Sequence, residues 1–126
     1  MSRASARLLV VDDEPRFLDL AERTLAGAGH DVAGACTSAE ALSRLGSDRF
    51  DLVLVDRRLG DRNGVELIES ARLVQATRFI LWSSCLSEGD VEDADRLEVT
   101  AIGKLTGPPL VDIVEQLLAA RARHRS

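Results

Sequence analysis

A chain of 126 residues, 45% hydrophobic and 29% charged, has the size and balance of one globular domain that buries a full core without staples. Its net charge of -5 argues against generic nucleic-acid binding and suits a basic partner better than DNA. The first apolar run, Leu8 to Val11, is too short for a signal-peptide core or a membrane span, so a soluble, cytoplasmic protein is expected.

Residues 1–6 read as a tail, residues 7–120 as the folded domain and residues 121–126, with RARHR, as a basic C-terminal tail. LLVVD (8–12) has strand length and β-branched content. Leu18, Ala21, Leu25 and Ala28 then keep one face of a first helix, which Gly29 ends with a left-handed cap. DVAGAC (31–36) is a second strand, and Ser38 is placed to cap a second helix. DLVLVD (51–56) is a third strand, and Asn63-Gly64 precedes a helix carrying Leu67, Ile68 and Ala71. FILWSS (79–84) is a fourth, followed by the acidic stretch SEGDVEDADRLE, which Ser87 caps and only Val91, Ala94 and Leu97 hold down. That helix is expected to present a solvated acidic face and to be the least firmly anchored element. VTAIG (99–103) is the fifth strand, and Pro109 opens a helix carrying Leu110, Ile113, Val114, Leu117 and Leu118.

The order is (βα)5, an α/β fold with a doubly wound five-stranded parallel sheet and helices on both faces. Continuous apolar runs fit strands buried on both sides. Cys36 and Cys85 show no metal or redox spacing and read as buried free thiols; His30, in a turn, and His124, in the tail, have no neighbouring ligand type.

In such a sheet the chemistry lies at the carboxyl ends of the strands. Four polar groups converge there: Asp12-Asp13-Glu14, Asp56, Ser83-Ser84 and Lys104, the single lysine of the chain. Singly, each has an ordinary explanation, a helix cap for Asp12 or Asp13 and a loop hydroxyl for Ser83. Together, three carboxylates need a cation between them, and a hard divalent ion such as Mg²⁺ fits while leaving an Asp oxygen free to attack phosphorus. A hydroxyl and a lysine nearby would hold the transferred group.

Over residues 7 to 120 the chain resembles the receiver domains of two-component response regulators, through VVDDEP, DLVLVDRRLGDRNGVEL and LWSS. The resemblance implies a flavodoxin-like fold, Asp56 as phosphoacceptor, Asp12 and Asp13 with Asp56 and the Arg58 backbone carbonyl as Mg²⁺ ligands, and Ser83 and Lys104 as the hydroxyl and cation of the site. It implies a sensor histidine kinase or histidine phosphotransfer protein as donor. It further implies slow self-dephosphorylation rather than ordinary turnover, and a downstream protein partner on the face of the fourth helix, fifth strand and fifth helix. A homodimer is compatible with this; direct nucleic-acid or membrane contact is not expected. The length leaves no room for a DNA-binding output domain, although a domain cut from a longer protein would read the same way.

The chain departs from the family at several places. Gly60 stands where proline is usual, Arg57 and Arg58 read as solvated loop arginines or as Arg58 reaching over the phosphoryl group, and Ala101 takes the place of the switch aromatic. Trp82 reads as core and as a convenient reporter. One register puts Gly107 at the family lysine; the other, preferred here, puts Lys104 there with Pro108 as the helix-opening proline and a trans Lys104–Leu105 bond. A binding module that acts without phosphorylation is the alternative function. A turnover phosphatase would need an acid where Arg58 stands.

Overall fold

The computed structural model describes residues 5–104 and 109–125. Strands and helices alternate: β1 (Arg7–Val11), α1 (Pro15–Gly27), β2 (Asp31–Ala35), α2 (Ser38–Ser47), β3 (Leu52–Asp56), α3 (Gly64–Val74), β4 (Arg78–Ser83), α4 (Glu88–Leu97), β5 (Thr100–Gly103) and α5 (Leu110–Arg125). All five strands form one parallel sheet in the order β2-β1-β3-β4-β5. The order reverses between β1 and β3, the point at which such sheets leave a crevice for chemistry.

Strand alternation divides the core in two. Leu9, Val11, Val53, Val55, Phe79 and Leu81 face α2 and α3. Leu8, Val10, Leu52, Leu54, Ile80, Trp82 and Ile102 face the other way, toward α1 and α5. Both faces of the central strands are therefore apolar, which is why their runs are continuous rather than alternating. Among the described residues no helix is long and apolar enough to cross a membrane.

The helix ends follow from local chemistry, with one correction. Gly29 has φ 99° and closes α1 in a Schellman arrangement, with His30 N–H donating to Leu25 O at 3.2 Å and Gly29 N–H to Ala26 O at 3.0 Å. Thr37, not Ser38, caps α2: its Oγ1 accepts the Glu40 N–H at 3.1 Å, while Ser38 Oγ donates to Asp61 Oδ2 at 2.6 Å. Asn63 caps α3 and Ser87 caps α4. The carbonyl of Pro109 accepts the first N–H bonds of α5, from Asp112 and Ile113.

Two expectations about burial are corrected, for the cysteines and for α4, and His30 makes contacts that its sequence does not announce. Cys36 and Cys85 are exposed, because each lies just past the carboxyl end of its strand, where the chain has left the sheet. His30 is buried: Nδ1 accepts the Ala6 N–H at 3.1 Å and Nε2 lies 2.9 Å from Glu115 Oε1, so this turn residue ties β1 to α5. The acceptor role of Nδ1 places the ring proton of the neutral form on Nε2. The acidic α4 is not uniformly solvated, since Asp90 is 1% exposed beside Ala94 and Leu97.

Candidate functional site

Register brings the acids together. Val11 pairs with Val55, so Asp12 and Asp56, each next along its strand, emerge side by side at the switch point. Asp12 is fully buried; its N–H donates to Ala35 O at 3.1 Å and its Oδ1 accepts the Glu14 N–H at 2.9 Å. Asp13 is exposed, and carboxylate oxygens of Asp12, Asp13 and Asp56 all lie within 4.8 Å of one another. Asp56 is buried, and its Oδ1 accepts the Arg58 N–H at 3.3 Å.

Close backbone approach shapes the loop after β3. A Cβ on Gly64 would stand 2.3 Å from the Asp56 carbonyl oxygen, so glycine is required where the turn returns to start α3. Gly64 N–H donates to Arg57 O at 2.7 Å, and Arg57 N–H donates to Trp82 O at 2.9 Å. Arg58 has an exposed side chain and forms an isolated antiparallel bridge with Asn63.

Lys104 enters from the end of β5, where its N–H donates to Ser83 O at 2.7 Å. Its ammonium lies 2.7 Å from Asp12 Oδ2 and 3.3 Å from Asp56 Oδ1, with the side chain only 4% exposed. The same nitrogen stands 4.5 Å from the centre of the Phe17 ring and 4.9 Å from that of Trp82, which meet edge to face. Two acids and two π faces thus hold one cation. Gly107, Pro108 and the Lys104–Leu105 bond lie outside the described residues.

Ser83 is buried at the end of β4; its Oγ donates to Cys85 O at 3.0 Å and accepts the Cys85 N–H at 3.3 Å. A cavity of about 660 Å³ joins these groups, with Asp13, Asp56, Arg57, Ser83, Asp90 and Lys104 in its wall. Burial pushes the Asp56 carboxyl up to about 6, the charge of Asp12 adds to the rise, and Lys104 and the Arg58 N–H oppose it.

Asp12, Asp13, Asp56, Ser83 and Lys104, expected at one strand edge, lie there together. Their surroundings are not evident from the sequence. Arg57 is not a solvated loop arginine: its side chain is 31% exposed and pairs with Asp90 of α4. The Ser87-x-x-Asp90 spacing is a capping-box signal that pointed to a structured α4 start, but nothing in it points to Arg57. Phe17 and Trp82 as the rings over Lys104 had no sequence signal beyond their nearness to Asp13 and Ser83.

Three comparisons place the chain among known proteins. A family model described as "Response regulator receiver domain" matches residues 8–106. The transcriptional regulatory protein GlrR of Escherichia coli is 37% identical over 75 residues, 60% of this chain and 17% of GlrR. The transcriptional regulatory protein ZraR of Salmonella typhimurium is 29% identical over 125 residues, 98% of this chain and 28% of ZraR. The chain therefore spans less than a third of either curated relative. A CheY-like receiver domain from Methanospirillum hungatei superposes with a TM-score of 0.88 at 26% identity, covering 96% of this chain and 99% of that one. With its flavodoxin-like sheet, its acids at the switch point and a family match across most of its length, the chain belongs to the receiver domains of two-component response regulators.

Proposed function

We propose that the chain, with residues 7–120 as its receiver domain, is a phosphoryl-dependent switch in which Asp56 accepts a phosphoryl group from a phosphohistidine on a sensor histidine kinase or phosphotransfer protein. The observation that supports this most is the setting of Asp56, a buried carboxylate within 4.8 Å of two others and 3.3 Å from a lysine ammonium, opening on a cavity with a serine hydroxyl. An Asp56 oxygen attacks phosphorus and the P–N bond breaks. The imidazole nitrogen keeps the bonding pair and gains a proton, and Asp56 carries an acyl phosphate. Lys104 and Ser83 hold the transferred oxygens, Ser83 by turning its hydroxyl from Cys85 O.

The donor set fits a hard divalent cation: carboxylate oxygens of Asp12, Asp13 and Asp56 lie within 4.8 Å of one another, while among the described residues the Lys104 ammonium pairs only with Asp12 and Asp56, and burial followed by the charge of Asp12 lifts the Asp56 carboxyl. Asp12, Asp13, Asp56 and the Arg58 carbonyl would hold Mg²⁺. When bound, the ion neutralises charge on the trio and on the phosphoryl oxygens. Water then hydrolyses the acyl phosphate slowly, so the domain resets itself without acting as a turnover enzyme. The output is a protein-binding surface formed by α4, β5 and α5, in a cytoplasmic protein that makes no nucleic-acid contact through this domain; that surface also suits pairing of two copies.

Acetyl phosphate with Mg²⁺ tests the reading: intact-mass measurement is expected to show one added phosphoryl group, absent in Asp56→Asn. One observation favours a second reading, a module that binds its partner without phosphorylation. Ala101 is half-buried where the family carries its switch aromatic, so no ring is available to flip. A wild-type protein that gains no phosphoryl group under these conditions would move the assignment there.

A further inference from the structure

Arg57 follows the proposed phosphoacceptor directly and reaches across the cavity to Asp90. Asp90 is 1% exposed and sits in the first turn of α4. Its Oδ2 accepts the Ser87 N–H at 2.9 Å, and Ser87 Oγ accepts the Asp90 N–H at 3.1 Å, which leaves Oδ1 for Arg57. Little else secures this end of the helix. Glu88, Gly89 and Val91 are exposed, while the apolar anchors Ala94 and Leu97 lie further along. The Arg57 backbone, by contrast, is fixed on both sides by its bonds to Trp82 and Gly64.

We propose that the Arg57–Asp90 ion pair couples the phosphoryl state of Asp56 to α4: the phosphoryl group draws the Arg57 guanidinium from Asp90 and releases the first turn of the helix. The proposal rests on Asp56 being the phosphoacceptor and names the regulation of that site. A phosphoryl group one residue away offers close to two negative charges and three acceptor oxygens, against one charge on the carboxylate. The Asp90 carboxylate left behind is buried without a counter-charge, the condition under which a broken buried pair destabilises its surroundings most. Asp90 regains solvation by moving outward, which opens the capping box with Ser87. The signal passes through charge rather than through an aromatic ring, consistent with alanine at position 101.

Hydrogen exchange of the Ser87–Val91 amides in the full chain tests this, with beryllofluoride and Mg²⁺ as the acyl-phosphate mimic and Trp82 fluorescence reporting its binding. In the wild type the mimic is expected to speed exchange of these amides by about tenfold or more. Arg57→Gln is expected to exchange at the raised rate without the mimic and to respond to it by less than about twofold. Asp90→Asn keeps an acceptor for the Ser87 N–H while removing the charge, is expected to lose the response as well, and serves if Arg57→Gln does not fold. A fluorescence change with α4 exchange unmoved in the wild type, or a wild-type response in Arg57→Gln or Asp90→Asn, overturns the coupling alone. A wild type silent in both fluorescence and exchange overturns the phosphoacceptor reading, and the coupling with it.

Discussion

The Lys104 ammonium lies 2.7 Å from Asp12 Oδ2 and 3.3 Å from Asp56 Oδ1, so one buried cation serves two buried carboxylates on neighbouring strands. Removing it leaves both acids without their protein counter-charge. Lys104→Met is therefore expected to lower metal-free stability by about 3 kcal/mol, in the range for a broken buried pair. Mg²⁺ is expected to restore part of the loss by neutralising the same carboxylates. Urea unfolding with and without Mg²⁺ measures both effects, and an unchanged midpoint in metal-free buffer would contradict the role given to the lysine.

The raised Asp56 carboxyl makes a prediction with a definite sign. In metal-free protein its folded value is about 6, against about 3.9 for an unperturbed aspartate. The folded state thus holds a proton that the unfolded chain has released. The associated stabilisation is full below about pH 4 and is lost as pH rises through about 6. Asp56→Asn should exceed the wild type in stability at pH 7 by on the order of 1 to 3 kcal/mol, and the gap should close toward pH 4. Paired urea titrations at the two pH values check it; a pH-independent difference would argue against an ionised, destabilising carboxylate.

Trp82 is the single tryptophan, 4% exposed, with the Lys104 ammonium 4.9 Å from its ring. A divalent ion among the acids weakens the hold of Asp12 and Asp56 on that ammonium and so changes the field at the indole. A saturable change in Trp82 emission is expected on titration with Mg²⁺, and Asp13→Asn should shift the midpoint to higher Mg²⁺ by about tenfold or more, the loss of one ligand's worth of affinity. An identical midpoint in Asp13→Asn would remove Asp13 from the ligand set.

Gly64 is required by distance rather than by φ, since an added Cβ would lie 2.3 Å from the Asp56 carbonyl oxygen. Gly64→Ala must push the loop off β3. A loss of roughly 1 to 3 kcal/mol is expected, as for overpacking at a closed site, together with slower phosphorylation because the strain falls on Asp56 itself. Thermal unfolding and the initial rate of phosphoryl incorporation measure the two parts.

The sheet and the acids were legible for the same reason. Each buried strand is a continuous apolar run whose first polar residue marks its carboxyl end, and in a parallel sheet those ends share one edge. Asp12, Asp56 and Ser83 could therefore be placed together from their runs alone. Cys36 and Cys85 could not, because a thiol one or two residues past a strand end looks apolar in sequence yet lies outside the core. The remaining surprises join residues far apart in the chain: Arg57 with Asp90, His30 with Glu115, and Lys104 with Phe17. Each depends on how helices pack on the sheet, which local pattern does not encode. Asp90 shows the difference within one residue, since its capping role is local and readable whereas its burial against Arg57 is tertiary.

The most direct test of the central claim is to locate the phosphoryl group. After treatment with acetyl phosphate and Mg²⁺, borohydride reduces an aspartyl phosphate to homoserine, and peptide mapping reads the position. Conversion is expected at Asp56 and at no other aspartate, with none in Asp56→Asn. Conversion at Asp12 or Asp13, or a wild type that yields no homoserine, would contradict it.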